Sequence, residues 1–304
     1  LEIGGETMDA AELKRLFVQA GPKWERVQEI RIRAGRPVTF LYEGKECCLP
    51  GNAPADKYLI REIMEIFSKH SLYAFEEEIR QGFLTIEGGH RVGICGRAVP
   101  DGDGLRTIKD ISSLNIRLAH QIIGCADGIL GWLYENGDLK DVLFISPPGA
   151  GKTTMLRDVI RQISDGSCYG AGMTVSVVDE RSELGACFKG IPQCDLGRRT
   201  DIMDGCPKAL GMLMMLRSMA PGAIAADEIG SQTDLEAIRY VMNCGCRILA
   251  TAHGNTIEDV CRKPVLSEMV RSGMFSRYVV LSGRPSPGTV AGIYNRELKI
   301  LWNP

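Results

Sequence analysis

Several features that mark particular protein classes are scarce or absent in this chain. Aromatic residues make up only 6% of its 304 residues. No aromatic–basic stripe is visible, which counts against a stacking surface for nucleic acid. Charge of one sign is not in excess: 36 basic residues face 38 acidic ones, for a net charge of -2. A chain so balanced has no global field drawing it to nucleic acid or an anionic membrane. Cysteines number eleven, yet no Cys-x-x-Cys pair occurs. Cys47 and Cys48 are adjacent, Cys244 and Cys246 are one residue apart, and the total is odd, so neither zinc nor a disulfide framework is expected. Most read as small buried residues in a reducing cytoplasm. No apolar run approaches the ~18–20 residues that span a bilayer. The N-terminus shows no basic region followed by an apolar one, so no leader is read there. These absences predict a soluble, cytoplasmic protein whose membrane attachment, if any, goes through a partner.

What is present centres on Asp141–Thr154, Asp-Val-Leu-Phe-Ile-Ser-Pro-Pro-Gly-Ala-Gly-Lys-Thr-Thr. An apolar strand-like run enters a Pro/Gly loop, which ends in Gly-Lys-Thr and passes into a helix-like segment. A phosphate-binding P-loop has this order. Pro148, Gly149, Ala150, Gly151, Lys152, Thr153 and Thr154 are therefore the candidate nucleotide-binding residues. The glycines let backbone N–H groups approach phosphate, Lys152 would reach the β- and γ-phosphates, and the Thr153 hydroxyl would hold Mg²⁺. Ser146 stands where the pattern's first glycine is usual, a place where serine can serve as a turn residue.

Patterning divides the chain in two. Residues 1–120 read as a small α+β domain, with helices at Asp9–Ala20, Ala55–Lys69 and Leu72–Arg80 and short strands between and after them. Ala119–Cys125 reads as the crossing. Residues 121–304 read as alternating strands and helices. Strands are expected at Met173–Asp179, Ala223–Asp227, Arg247–Ala252 and Tyr278–Leu281, the pattern of a parallel sheet with crossover helices. The methionine- and leucine-rich stretch Leu210–Met219 reads as a helix packed into the core, with an adaptable binding surface as the alternative.

Hydrolysis needs more than a P-loop, and the other parts belong at the carboxyl ends of the strands. A small-residue strand runs into Asp227 and Glu228, where Asp227 would hold Mg²⁺ and Glu228 would polarise the attacking water. A second strand runs into Asp179-Glu180-Arg181-Ser182-Glu183, giving Asp179 and Glu183 as further candidate acids. His253 ends a third strand and could contact the γ-phosphate. Arg91, Arg97, Arg106 and Arg117 lie in or beside strands of the N-terminal domain, where one or two could act as arginine fingers.

These boxes, in the order P-loop, acidic cluster, acidic pair after a small-residue strand, and Thr-x-His, resemble the ATPases of type II and type IV secretion systems and pili. Gly89-His-Arg-Val-Gly-Ile-Cys-Gly-Arg-Ala98, Leu114-Asn-Ile-Arg117, Asp179-Glu-Arg-Ser-Glu-Leu184 and Thr251-Ala-His-Gly254 more narrowly resemble the stage III sporulation AA family of endospore formers. The resemblance implies an α/β fold with a RecA-like P-loop NTPase core behind a smaller α+β domain. It implies ATP hydrolysis with Mg²⁺, a homo-hexameric ring with nucleotide between the two domains of a subunit, and a membrane protein of a secretion or sporulation channel as partner. By position, Lys152 and Thr153 match Walker A, Glu228 the Walker B glutamate, and Asp179, Glu180 and Glu183 the Asp box. His253 matches the His box, and Arg91, Arg97 and Arg117 are the candidate N-domain arginines. Asp179 stands where relatives have Glu, an acid one carbon longer. Two other readings remain open at this level: a nucleic-acid motor on a RecA-like core, and a scaffold that binds ATP without hydrolysing it.

Overall fold

The computed structural model describes residues 10–68, 75–80, 82–102 and 104–304. The chain divides into two compact units between His120 and Gln121. The first contains α1 (Ala10–Ala20), β1 (Val27–Arg33), β2 (Thr39–Tyr42), β3 (Lys45–Cys48), α2 (Lys57–Phe67), α3 (Glu76–Arg80), β4 (Phe83–Ile86), β5 (His90–Asp101) and β6 (Gly104–Arg117). Its strands form one antiparallel sheet in the order β3-β2-β1-β6-β5-β4. Strict alternation decides which face is covered. Ile30 and Ile32 of β1, Leu114 and Ile116 of β6, and Val92 and Ile94 of β5 are buried, and α2 and α3 pack on β6. Helix α2 starts where it does because Asp56 caps it, accepting the Leu59 N–H at 2.7 Å.

The other face of the sheet is polar. Cross-strand register puts Arg91 of β5 opposite Arg117 of β6, and Arg117 opposite Glu29 of β1. The helix expected over Leu72–Arg80 is described as α3 alone. Leu72–Ala74, the cap Asp9 and the helix end Lys69 lie outside the described residues. Residues 105–113 lack clean alternation, and they continue β6 as one arm of a long hairpin with β5. That arm has partly exposed residues on both faces, so no apolar pattern announces it.

The second unit contains α4 (Asp127–Leu130), β7 (Tyr134–Glu135), β8 (Asp138–Leu139), β9 (Val142–Ser146), α5 (Lys152–Asp165), β10 (Val175–Asp179), β11 (Thr200–Asp204), α6 (Lys208–Ser218), β12 (Ala223–Ala226), α7 (Gln232–Asn243), β13 (Arg247–His253), α8 (Ile257–Cys261), α9 (Pro264–Arg271), β14 (Arg277–Leu281), β15 (Val290–Asn295) and β16 (Ile300–Trp302). The main sheet has the order β11-β10-β12-β13-β9-β14-β15-β16. Strands β11 through β14 in that order are parallel, and β15 and β16 extend the sheet antiparallel.

Successive residues of β9 serve two cores. Val142 and Phe144 pack with Leu156, Val159 and Ile160 of α5, whereas Leu143 and Ile145 pack with the side of α6 to α9. This is the signature of a sheet covered on both faces, which makes its strands continuous apolar runs. Each such buried side chain contributes ~1.5–3 kcal/mol. β11 escaped the sequence reading because Thr-Asp-Ile-Met-Asp is half polar, as suits an edge strand. In α6, Met212 and Met215 are buried, but Leu210 and Met214 are exposed. Core packing accounts for half of the methionine-rich stretch.

Candidate nucleotide site

Four motif-bearing strands of the second unit end on one edge of the parallel sheet. β9 ends at Ser146, which is paired in register with His253 of β13. Ala226 of β12 pairs with Val178 of β10 and Ala250 of β13, so the next residues along, Asp227, Asp179 and Thr251, emerge side by side. Ligands of open α/β sheets bind at such carboxyl ends.

Ser146 is a buried strand residue, not a turn residue. Its Oγ donates to the Pro147 carbonyl at 3.0 Å, and its carbonyl accepts the Gly254 N–H at 3.1 Å. The loop that follows turns through Gly149 and Gly151, both left-handed with φ of 73° and 89°. At Gly151 a Cβ would also stand 2.8 Å from the Gly288 nitrogen, so handedness and close packing both demand glycine. Gly151 is the N-cap of α5 and brings no side-chain acceptor, which leaves the first-turn N–H groups for an anion.

Lys152 and Thr153 open α5 and meet the end of β12. Lys152 Nζ lies 2.7 Å from Glu228 Oε1, and the Thr153 hydroxyl donates to Asp227 Oδ2 at 2.8 Å. His253 Nε2 is 2.9 Å from Glu228 Oε1, and Arg181 Nη1 is 2.7 Å from Glu228 Oε2. Thr251 joins both acids: its hydroxyl donates to Asp227 Oδ1 and accepts the Glu228 N–H at 2.8 Å. Glu228 itself is left-handed, with φ 55°, a conformation uncommon for a residue with a Cβ and found where surrounding contacts over-determine it. Burial pushes the Glu228 carboxyl up, but the Lys152 hydrogen bond and the charges of Lys152, His253 and Arg181 outweigh it. The acid is held below the ordinary glutamate value, hence ionised at neutral pH. Adjacent hydroxyl and carboxylate oxygens at Thr153 and Asp227 are hard donors that suit Mg²⁺, an ion that takes few protein ligands beside phosphate and water.

The acidic segment after β10 is built differently. Asp179 is 2% exposed. Its Oδ1 accepts the Glu183 N–H, and its Oδ2 accepts the Leu184 and Gly185 N–H groups, all at 2.8–2.9 Å. Burial outweighs these bonds and pushes its pKa up to about 6. Both oxygens are thus spent on folding the loop back, which gives Asp179 a positioning job. Arg157 of α5 grips the same loop, donating to the carbonyls of Leu184 and Glu183 at 2.8 and 2.6 Å. Glu180 pairs with Lys208. The Glu183 carboxylate has no hydrogen-bond or ion-pair partner among the described residues, and it lines one narrow cleft with Glu180, Arg181, Lys208, Asp227 and Glu228.

Comparisons with known proteins bear on this arrangement. A family described as "Sporulation stage III, protein AA" matches residues 6–301. The chain belongs to the sporulation stage III protein AA family. Stage III sporulation protein AA of Bacillus subtilis is 40% identical over 280 residues, which is 92% of this chain and 90% of that protein. Among solved structures, the ATPase DotB of Yersinia pseudotuberculosis superposes with a TM-score of 0.65 at 14% identity, covering 97% of this chain and 83% of that one. The pilus retraction motor PilT superposes with a TM-score of 0.60 at 14% identity, covering 90% and 78%. At such identity these likenesses concern the fold, a RecA-like core behind an N-terminal region.

For this member of the sporulation stage III protein AA family, the structure gathers Lys152, Thr153, Asp227, Glu228 and His253 into one network. Pro148, Gly149, Ala150, Gly151 and Thr154 lie on or beside its P-loop, and Asp179 and Glu183 lie in the neighbouring loop. Arg91 and Arg117 are a cross-strand pair on the polar sheet face of the other unit. Arg97 is separated from them by a β-bulge and pairs with Lys109. Sequence reasoning gave no job to Arg181, Thr251, Arg157 or Lys208. Thr251 lay in view inside the Thr-x-His box, whereas Arg181 meets its partner 47 residues downstream.

Proposed function

We propose that the protein is a ring ATPase that hydrolyses ATP to power or gate assembly of a membrane channel during sporulation. The observation that carries this reading is the junction of P-loop and acidic pair: Lys152 against Glu228 and Thr153 against Asp227, at 2.7 and 2.8 Å. Lys152 and the first-turn N–H groups of α5 bind the β- and γ-phosphates of ATP. Thr153 and Asp227 would hold Mg²⁺, which would neutralise phosphate charge. Glu228, kept ionised by its cationic neighbours, orients and polarises the attacking water, and His253 steadies it. Glu183 offers a second carboxylate at the cleft. Arg91, Arg97 and Arg117 are the N-terminal candidates for positive charge on the phosphates.

The sporulation role rests on the Bacillus subtilis relative, and the coupling to a membrane system is supported by likeness in fold to the ATPase DotB and to the pilus retraction motor PilT. The same reading takes the protein as a homo-hexamer with a membrane protein as partner. No helix among the described residues is long and apolar enough to cross a bilayer. The test is oligomeric state with and without ATP, read beside hydrolysis by the wild type and Lys152→Ala. ATP should promote ring formation and Lys152→Ala should bind no nucleotide. A protein that stays monomeric under all conditions would remove the ring from the account.

A further inference from the structure

Arg181 enters the reading above only as a charge beside Glu228, and its surroundings are specific. It projects from a loop tied down on three sides. Asp179 of β10 accepts three N–H groups from residues 183–185, Arg157 of α5 donates to the carbonyls of Glu183 and Leu184, and the Ser182 hydroxyl donates to Asp204 of β11 at 2.6 Å. Ser182 is left-handed, with φ 54°, which turns the chain sharply just after Arg181. From this fixed base the guanidinium, on a side chain 64% exposed, reaches Glu228 Oε2. The other two nitrogen partners of Glu228, Lys152 Nζ and His253 Nε2, both meet Oε1.

We infer that Arg181 is a positioning residue for Glu228, the partner that keeps its carboxylate aimed when the phosphates of ATP draw Lys152 away. The inference rests on the hydrolytic reading of the site. Its logic is one of points of attachment. With Lys152 on phosphate, Glu228 keeps His253 on one oxygen and Arg181 on the other. Two anchors on two oxygens fix a planar carboxylate, whereas His253 alone leaves it free to swivel. An ionised carboxylate offers about four lone-pair sites, so one bond from Arg181 still leaves room for a water on the same group. A misplacement of ~1 Å at such a group can cost ~10²-fold in rate, which sets the scale of the effect.

Two measurements on the full chain test this. In single-turnover hydrolysis, Arg181→Ala should lower the rate constant ~10–100-fold with the Kd for ATP unchanged within ~3-fold, and Arg181→Lys should recover part of the rate. A loss confined to ATP affinity, or an unchanged rate, overturns the inference. The second measurement does not depend on turnover: a crystal structure with Mg²⁺ and a non-hydrolysable ATP analogue. Arg181 should remain on Glu228 while Lys152 sits on phosphate. Arg181 found on a phosphate oxygen instead contradicts the positioning role. A wild type that binds ATP and hydrolyses none of it defeats the hydrolytic reading, and the Arg181–Glu228 contact is then judged by that structure alone.

Discussion

Two strands of the same sheet end in acids, and the acids do different things. At the end of β12, Asp227 and Glu228 turn toward the P-loop and meet Thr153 and Lys152. At the end of β10, Asp179 turns into its own loop and is consumed by three backbone N–H groups. In sequence the two clusters look alike: an apolar run, then Asp-Glu. What separates them is the supply of donors. The chain after Asp179 folds back at 183–185 and offers N–H groups, whereas the chain after Glu228 enters α7 and satisfies its own donors through the Ser231–Asp234 capping box. A carboxylate at a strand end is therefore placed by the sheet and employed by the loop.

The contrast can be broken, starting with the largest effect. Lys152→Ala removes the cation of the β12 side, and ATP binding measured by calorimetry should be lost while the fold is kept. On the β10 side the effect should fall on stability. Asp179→Ala orphans three backbone N–H groups, two of them buried, and should cost ~3 kcal/mol, seen as a lower denaturation midpoint. Nucleotide affinity of the folded fraction should hold.

The pH dependence has a definite sign. The folded-state pKa of Asp179 is raised to about 6 from 3.8, so between those values the native state holds the proton more tightly than the unfolded chain. This residue's contribution to stability therefore falls as pH rises from about 4 to 6. Asp179→Asn should flatten that slope in a denaturation series, even though its amide faces one N–H with another donor. An unchanged slope would remove the buried-acid assignment.

Smaller effects sharpen the comparison. Thr251→Val keeps the shape but deletes the hydroxyl shared by Asp227 and Glu228, and should cost ~1–2 kcal/mol of stability together with part of the turnover. Glu183→Gln should leave stability within ~0.5 kcal/mol, because that carboxylate has no hydrogen-bond or ion-pair partner among the described residues. A fall in turnover there would give Glu183 a part in the chemistry, and no change would leave it as a solvated acid at the cleft.

The same contrast explains what could be read from the chain. The β9–loop–α5 segment was legible because its chemistry is local: two left-handed glycines, a lysine and a threonine within a few residues. The small-residue strand β12 was legible because a strand buried on both faces must be a continuous apolar run. The job of Asp179 was not, since it depends on donors brought back by a turn. Arg181 was hidden for a related reason, its partner being set by sheet register. The hairpin arm at 105–113 and edge strand β11 went unread because neither buries a full face, and burial is what imprints alternation.

Glu228→Gln tests the central claim most directly. The variant keeps the shape of the side chain and removes the charge that Lys152, His253 and Arg181 surround. Measured beside wild type in the full chain, it should bind ADP and ATP at least as tightly, since the neutral amide no longer competes with phosphate for Lys152, and its hydrolysis should fall ~10²–10⁴-fold. Hydrolysis at the wild-type rate by Glu228→Gln would contradict the account.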